Sequence, residues 1–482
     1  MTIAPSPRTV AVILAAGLGT RMRSRTPKLL HPICGRPMLA WVIDAARAVT
    51  GERPLVVYSP ATSAICETFA SEADFALQDE PRGTSDAVRA ALDALPTETT
   101  EILVLSGDVP LMDPDLVRSL ATERRAAGSV MALVSVDAED PASLGRVVRD
   151  ADGRVARIVE AKDATPDELA IDEINAGLYA FDALWLREQL PRLRPSQTTG
   201  ELYLTALVEV ARAGSEGVLA IEVDDDGTLL GINDRAELAG AELEMRLRIN
   251  ERHLRAGVTM ADPTTAYIDA GVELAEDVRL EPCVILRGAT RIGRDSVIRS
   301  GSQIVDSVVG ERCQVWASVL ESSVVGDDCR IGPFAHLRSG AQVASGVELG
   351  NFAEVKSSRI GRGTKQHHFS YIGDADVGER VNIGAGTITA NYDGRRKHTT
   401  KIGNDAFIGS DTILRAPITV GEGAVTGAGS VVTRDVPAGK LAVGVPARIR
   451  EKRRVPDDVA IPEPVAQGPG PGTELTDEVG SA

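Results

Sequence analysis

The chain has 482 residues, 43% hydrophobic, 25% charged and 3% aromatic, with a net charge of −17. That length allows about three domains with sizeable cores, and the acidic balance excludes a general nucleic-acid binder, so any phosphate site must be assembled locally from a few cations. No apolar run is long enough to span a bilayer, residues 1–8 lack the apolar stretch of a secretion signal, and five cysteines without a C-x-x-C spacing (Cys34, Cys66, Cys283, Cys313, Cys329) read as free thiols of a reducing cytoplasm.

Residues 9 to about 230 alternate apolar runs with helical stretches, the arithmetic of an α/β domain with a mostly parallel sheet. Val10–Leu14 is predicted as a buried strand opening into Ala15-Ala16-Gly17-Leu18-Gly19-Thr20-Arg21-Met22 and then Pro27-Lys28-Leu29-Leu30. Glycines between a strand and a helix let backbone N–H groups approach phosphate oxygens, and Arg21 and Lys28 add positive charge there. Taken alone, the same glycines equally suit a tight turn. Ile102–Leu105 is a second predicted strand, ending in Ser106-Gly107-Asp108-Val109-Pro110. Ligands sit at the carboxyl ends of strands in open α/β sheets, so Asp108 is placed to bind a metal that bridges phosphates, with a capping role as the alternative.

Asp234–Ala256 reads as one long helix, with Leu238, Ala241, Met245 and Ile249 near a single stripe and Gly257 as its stop. From about Pro263 to about Gly439 the chain then counts in sixes. Val325, Ile331, Leu337, Val343, Leu349 and Val355 follow the count, as do Ile402, Ile408, Leu414, Val420 and Val432 with Thr426 in the remaining slot. Neither a helix nor a simple strand has that period; a short strand and a corner, repeated with the aliphatic inward, does. Asn391-Tyr392-Asp393-Gly394-Arg395-Arg396-Lys397 interrupts the count and is expected to leave as a loop of the kind that carries binding function. Arg448–Arg454 is a basic run, and the Pro/Gly/acidic stretch 455–482 is expected to be disordered.

The count of six resembles the hexapeptide acyltransferases, whose chains wind into a left-handed parallel β-helix; their coil size implies about ten coils here. L-A-A-G-x-G-T-R-M, P-K-L-L-H, G-D-V-P-L, V-E-x-K-D-A, N-A-G and G-I-N-D-R, in that order, resemble the sugar-nucleotide pyrophosphorylases. Together, from about Val10 to about Ala442, the two patterns are similar to the bacterial bifunctional family of N-acetylglucosamine-1-phosphate uridyltransferase and glucosamine-1-phosphate N-acetyltransferase. The implied fold is an α/β nucleotidyltransferase (Rossmann-like, mostly parallel sheet) joined by a long helix to a left-handed parallel β-helix. The implied divisions are a pyrophosphorylase domain at 1–233, a linker helix at 234–257, the β-helix at 258–442 and a tail at 443–482.

For the first half, the resemblance implies attack of N-acetylglucosamine 1-phosphate on the α-phosphorus of UTP, releasing pyrophosphate. Mg²⁺ would be held by Asp108 and Asn233, with Arg21 and Lys28 offsetting anionic charge. Leu14, Ala15, Ala16, Gly17, Gln78, Gly83 and Thr84 would hold the nucleotide, Gly145, Glu160 and Asn175 the sugar, and Ser106 and Gly107 belong to the same set. For the second half it implies acetyl transfer from acetyl-CoA to glucosamine 1-phosphate. The spacing H-x-x-Y-x-G-D selects His368 over His367 as general base. Arg338 and Lys356 would take the sugar phosphate with Tyr371 and Asn382 beside them, and Asn391 and Tyr392 the acetyl donor, with Ala385, Ser410 and Ala428 further along the groove. His31, His253 and His336 are set aside as surface histidines. The resemblance also implies a cytoplasmic homotrimer with acetyl-transfer sites shared between chains, and no nucleic-acid or membrane partner.

One rival is a single-function sugar-1-phosphate nucleotidyltransferase with a structural or regulatory β-helix, against which His368 and the Asn391-Tyr392 loop speak. Another is a non-catalytic scaffold, against which Lys28, Asp108 and Asn233 speak. The chain also departs from the family pattern. Gly83-Thr84-Ser85-Asp86 stands where Gly-Thr-Gly-His is usual, Leu144 and Ala206 replace Tyr and Asp, and Val445 replaces an Arg that contacts the coenzyme, leaving that role open between Lys440 and Arg448. Asp86 is expected to weaken nucleotide binding by adding an anion near the phosphates, without altering the base preference.

Overall fold

Neighbouring residues of the first strand, β1 (Thr9–Leu14), point to opposite faces of its sheet and are buried on both, which requires a sheet covered on both sides. Val10 and Val12 enter one core with Leu55, Val57, Ile102 and Val104, while Ala11 and Ile13, aimed the other way, are also buried. The computed structural model describes residues 8–141, 143–225 and 227–452 and divides into two compact units, Met1–Ser323 and Val324–Ala482. The expected tail at 455–482 lies outside the described residues. The break between units falls within the hexad region, away from the expected divisions at 233, 257 and 442.

In the first unit, β1 is joined by β2 (Leu55–Tyr58), β3 (Asp74–Leu77), β4 (Glu101–Ser106), β5 (Met131–Asp137), β6 (Arg146–Arg149), β7 (Val155–Val159), β8 (Glu173–Asp182) and β9 (Val218–Asp224). The sheet order is β9-β5-β8-β4-β1-β2-β3. All neighbours run parallel except β8, which is antiparallel to both β4 and β5 and also carries the short antiparallel pair β6 and β7. This is the mostly parallel sheet that the alternation of elements predicts. At the start of the central strand β4, Glu101, 0% exposed, accepts from Arg124 at 2.9 and 3.1 Å, from Arg125, and from Thr9 Oγ1 at 2.8 Å.

Arg235–Arg255 forms the predicted long helix. Asp234 caps it by accepting from the backbone N–H groups of Ala236 and Glu237, and Gly257, at φ +95°, follows its end. Ala241, Met245 and Ile249 are buried, and the fully buried Asn250 donates to the carbonyls of Pro263 and Ala266, fastening the helix to the start of the first coil. Parallel coils follow, pairing Arg279 with Val297 and Ile285 with Gln303.

The second unit continues the hexad pattern as short parallel strands, and every residue named in the count is buried. Successive coils place Val325 beside Val343, Val343 beside Ile360, Ile360 beside Val377, Val377 beside Ile402, and Ile402 beside Val420. The second and third of these steps are one residue shorter than the first. The fourth is longer because the Asn391–Lys397 loop leaves the coil there, closed by a bridge between Tyr392 and Lys397. Past Ala442 the chain does not stop being regular: Leu441–Gly444 pairs in parallel with the coil strand Val425–Thr426 and turns back in antiparallel pairing on Ala447–Arg450.

Glu101→Ala should destabilise the α/β domain by about 3–5 kcal/mol, because it strands the buried Arg124 guanidinium without its carboxylate. Chemical denaturation followed by the near-ultraviolet signal of the first unit checks this, and a loss below about 1 kcal/mol would show that the ion pair contributes little.

Candidate active sites

The carboxyl ends of β1 and β4 and the amino-terminal part of β8, which runs antiparallel to β4, open into a cavity of about 550 Å³ in the first unit. Leu14, Ala15, Ala16, Gly17, Arg21, Lys28, Gln78, Gly83, Thr84, Ser106, Asp108, Gly145, Glu160, Asn175 and Asn233 all line it. Of the residues expected here only Gly107 lies outside the lining. Its role is structural: its N–H donates to Leu14 O at 3.0 Å, and a Cβ there would meet that same oxygen at 2.8 Å. The glycine-rich loop turns at Gly19 (φ +58°), where a Cβ would strike Lys28 Cβ at 2.6 Å, so glycine lets the loop lie over the lysine stem.

Lys28 Nζ donates to Asp108 Oδ2 at 2.6 Å and to Asn233 Oδ1 at 3.1 Å. Asn233 is fixed in turn by its Nδ2 on Gly231 O at 2.8 Å, and Asp108 by Ile232 N–H on its carbonyl at 2.9 Å. Two hard oxygens therefore converge on one cationic position, a donor set suited to a small divalent ion that completes its shell with substrate phosphates. Among the described residues no cluster of three or more His, Cys, Asp or Glu offers a closed metal cage.

On the other side of the cavity β8 breaks register against β5 between Asn175 and Tyr179. The irregularity turns Asn175 out, its Nδ2 bonded to Tyr179 Oη at 2.6 Å, and brings Gly177 (φ +73°) so close to Ser106 that a Cβ would lie 2.7 Å from its Oγ. Glu160 accepts from Thr205 Oγ1 at 2.8 Å, and burial pushes its carboxyl above the usual range despite that bond. Sequence reasoning missed the Leu202–Thr205 segment. Leu202 N–H donates to Arg82 O at 2.8 Å, Ser85 N–H to Leu202 O at 3.0 Å and Leu204 N–H to Thr84 Oγ1 at 2.9 Å, so this distant loop walls Gly83 and Thr84. Asp86 differs from expectation. It faces away from the nucleotide cavity and is compensated by Arg89 and, at 3.6 Å, by Arg82, so it adds no free anion beside the phosphates.

In the second unit His368 and His367 border a groove of about 560 Å³ that also collects Asn382, Ala385, Ser410 and Ala428. The two histidines separate by partner. His367 Nε2 is tied to Glu348 at 2.9 Å, whereas the His368 ring has no hydrogen-bond partner among the described residues. Beneath them the inward slot holds Gln366 in place of an aliphatic residue. Its Nε2 donates to Ser370 Oγ at 2.8 Å, and Ser370 Oγ donates to His368 O at 2.9 Å, fixing the backbone that carries the ring.

The remaining expected residues do not enter that groove. Lys356 is paired across the coils with Gly373 and neighbours Arg338, Asp374 and Lys397; the Lys397 ammonium beside it lowers the Lys356 pKa. Asn391 donates to Asp374 and, at 3.4 Å, to Tyr371 Oη, so Arg338, Lys356, Tyr371 and Asn391 form a second, cationic patch. Tyr392 lies in a third hollow with Asp393, His398 and Arg415. Within one chain, then, the residues expected for acetyl transfer lie apart from one another. His31 and His253 are buried rather than superficial, and burial lowers the His253 pKa to about 4.

Residues 11–168 match the family model of the MobA-like NTP transferase domain, and residues 322–357 and 399–434 match that of the bacterial transferase hexapeptide (six repeats). The chain is 43% identical over 436 residues to the bifunctional protein GlmU of Trichlorobacter lovleyi, covering 90% of this chain and 95% of that one. It is 40% identical over 449 residues to that of Shouchella clausii (93% and 99% covered) and 44% identical over 451 residues to that of Kineococcus radiotolerans (92% and 91% covered).

Gly83, at φ +126°, would place a Cβ 2.4 Å from Leu202 O, whereas Gly17 has nothing within 4 Å. Gly83→Ala should therefore cost about 1–3 kcal/mol of stability and Gly17→Ala much less; equal melting temperatures for the two variants would refute the close approach of the two loops.

Proposed function

Because the chain belongs to the GlmU family of bifunctional proteins, we propose that it makes UDP-N-acetylglucosamine in two steps. Acetyl transfer from acetyl-CoA to glucosamine 1-phosphate comes first, and uridylyl transfer from UTP to N-acetylglucosamine 1-phosphate second. The observation that carries the uridylyl half is the convergence of Lys28, Asp108, Asn233, Glu160 and Asn175, from stretches far apart in sequence, on one cavity. We assign residues 1–233 to that half, 234–257 to the connecting helix and 258–442 to the β-helix.

In uridylyl transfer the nucleophile is already a phosphate anion, so no general base is required and the obstacle is repulsion between anions. Arg21 and Lys28 offset that charge beside the loop of Leu14–Gly17, Gln78, Gly83 and Thr84 take the uracil end, and Gly145, Glu160 and Asn175 orient the sugar. Asp108 and Asn233 would hold Mg²⁺, which when bound neutralises and aligns the phosphates. Lys28, now between those two oxygens, is within reach of any phosphate that arrives there.

In acetyl transfer the amine of glucosamine 1-phosphate attacks the thioester carbonyl. A C–N bond forms, the C–S bond breaks, and the amine proton passes to the imidazole of His368. Asn382, Ala385, Ser410 and Ala428 line the path of the donor, and Arg338 and Lys356 receive the sugar phosphate. The division of this set between a groove and a separate cationic patch supports a homotrimer in which a neighbouring copy completes each site. Among the described residues no helix is long and apolar enough to cross a membrane, and the five cysteines are free, in keeping with a cytoplasmic enzyme. Its product is a precursor of cell-wall polymers.

Purified protein should turn over acetyl-CoA with glucosamine 1-phosphate and UTP with N-acetylglucosamine 1-phosphate; activity in the second assay alone would leave the single-function nucleotidyltransferase. His368→Ala should lower acetyl transfer roughly 10²–10⁴-fold with uridylyl transfer intact, and His367→Ala should lower it far less; the reverse order would move the base to His367. EDTA should abolish uridylyl transfer and spare acetyl transfer, and uridylyl turnover in metal-free buffer would remove the role given to Asp108 and Asn233.

A further inference from the structure

Gln78 is a partition. One side of it faces the nucleotide cavity, and the other faces a smaller hollow of about 290 Å³ shared with Arg82, Asp86 and Arg89. Gln78 and Asp86 are 4% and 6% exposed. Asp86 stands in the first turn of the helix Thr84–Leu92, where its Oδ1 meets the Arg89 guanidinium one turn on and Arg82 at 3.6 Å. Its Oδ2 accepts from Gln78 Nε2 at 3.0 Å, and the same nitrogen donates to Gly83 O at 3.2 Å. A primary amide has two N–H donors and one carbonyl acceptor, so both donors are committed and the group left for the cavity is the acceptor Oε1.

Burial alone would raise the Asp86 pKa, but the Gln78 donor and the two guanidinium groups outweigh it and hold the carboxyl below the usual carboxylate range. Near neutrality Asp86 is therefore an acceptor only. Turning the amide over would set its carbonyl oxygen against a carboxylate inside a buried site, which the structure cannot offset.

We propose that Asp86 is a specificity-determining positioning residue: by pinning the amide of Gln78 it makes the cavity present an acceptor to the nucleobase. The site then favours a pyrimidine whose ring nitrogen carries a hydrogen, as the imide of uracil does, over cytosine, whose corresponding nitrogen is a lone pair. The inference rests on the uridylyl reading above and assigns a task to a residue with no place in that chemistry.

The test is a double-mutant cycle on the full chain, measuring kcat/KM with UTP and with CTP. In Asp86→Asn the side-chain oxygen is drawn to Arg89 and an N–H turns toward Gln78, which releases the amide. The UTP-over-CTP ratio should fall about tenfold, mainly through KM, while Asp86→Glu, still acceptor-only, should keep most of the preference. Gln78→Ala should lower the ratio by a similar factor, and adding Asp86→Asn to it should change nothing more, because Asp86 acts through Gln78. The near-ultraviolet signal of the first unit reports that each variant has folded. An unchanged ratio in Asp86→Asn, an equal loss with both nucleotides, or a full Asp86→Asn effect in the Gln78→Ala background would overturn the proposal. No UTP turnover by the unmodified chain would instead overturn the uridylyl reading.

Discussion

A single ammonium group ties together three separate parts of the first unit. Lys28 Nζ reaches Asp108 at the end of β4 and Asn233 just before the long helix, joining the glycine-rich loop to both. In a chain of net charge −17 a polyphosphate site depends on such local concentrations of cation, and this one is held on strand ends and caps, which keep it in place without a ligand. The cavity walls follow from that anchor: the loop lies over the lysine because Gly19 has no Cβ, and Gly107 lets β4 end against β1.

The second unit solves a different problem with a different constraint. Parallel pairing between coils puts residues about one coil apart side by side, so a row of functional side chains can be written into the chain at nearly constant spacing. Lys356 beside Gly373 and His336 beside Glu354 are products of that register, and Arg338 reaches Glu354 diagonally across it. The same regularity leaves little room for a deep pocket, and the residues proposed for acetyl transfer gather where the register breaks: at the shortened coil that carries Gln366 and His368, and at the Asn391–Lys397 excursion.

Much of this was legible in the residues, for identifiable reasons. Aliphatic residues every six and glycines after strands are local signals, and the inward slots and the cavity-lining loops fall where they indicate. What escaped depends on contacts distant in sequence. Nothing near Thr84 announces that Leu204, 120 residues later, bonds its hydroxyl. The charge on Asp86 misled because its partner Arg89 is visible only once Thr84–Leu92 is a helix, with residues three apart on one face. The separation of Asn391 from the His368 groove within one chain also escaped, because the sequence gives spacing along the chain but not the face of the coil on which a residue emerges. The hairpin of Leu441–Arg450 escaped because the hexad count ends before it.

The coil register bears on how the second unit folds. The coil strands pair with others about a single coil away, so almost all contacts join segments close in sequence, and closing each coil costs a short loop rather than a long one. Such an array forms by adding coils to a formed neighbour and loses them from its ends, so its resistance to unfolding is graded along the chain. The step from Val377 to Ile402 is the exception, since the excursion enlarges the loop that must close there. That coil is the natural seam at which growth of the array pauses, and it is also where Asn391 and its partners must assemble.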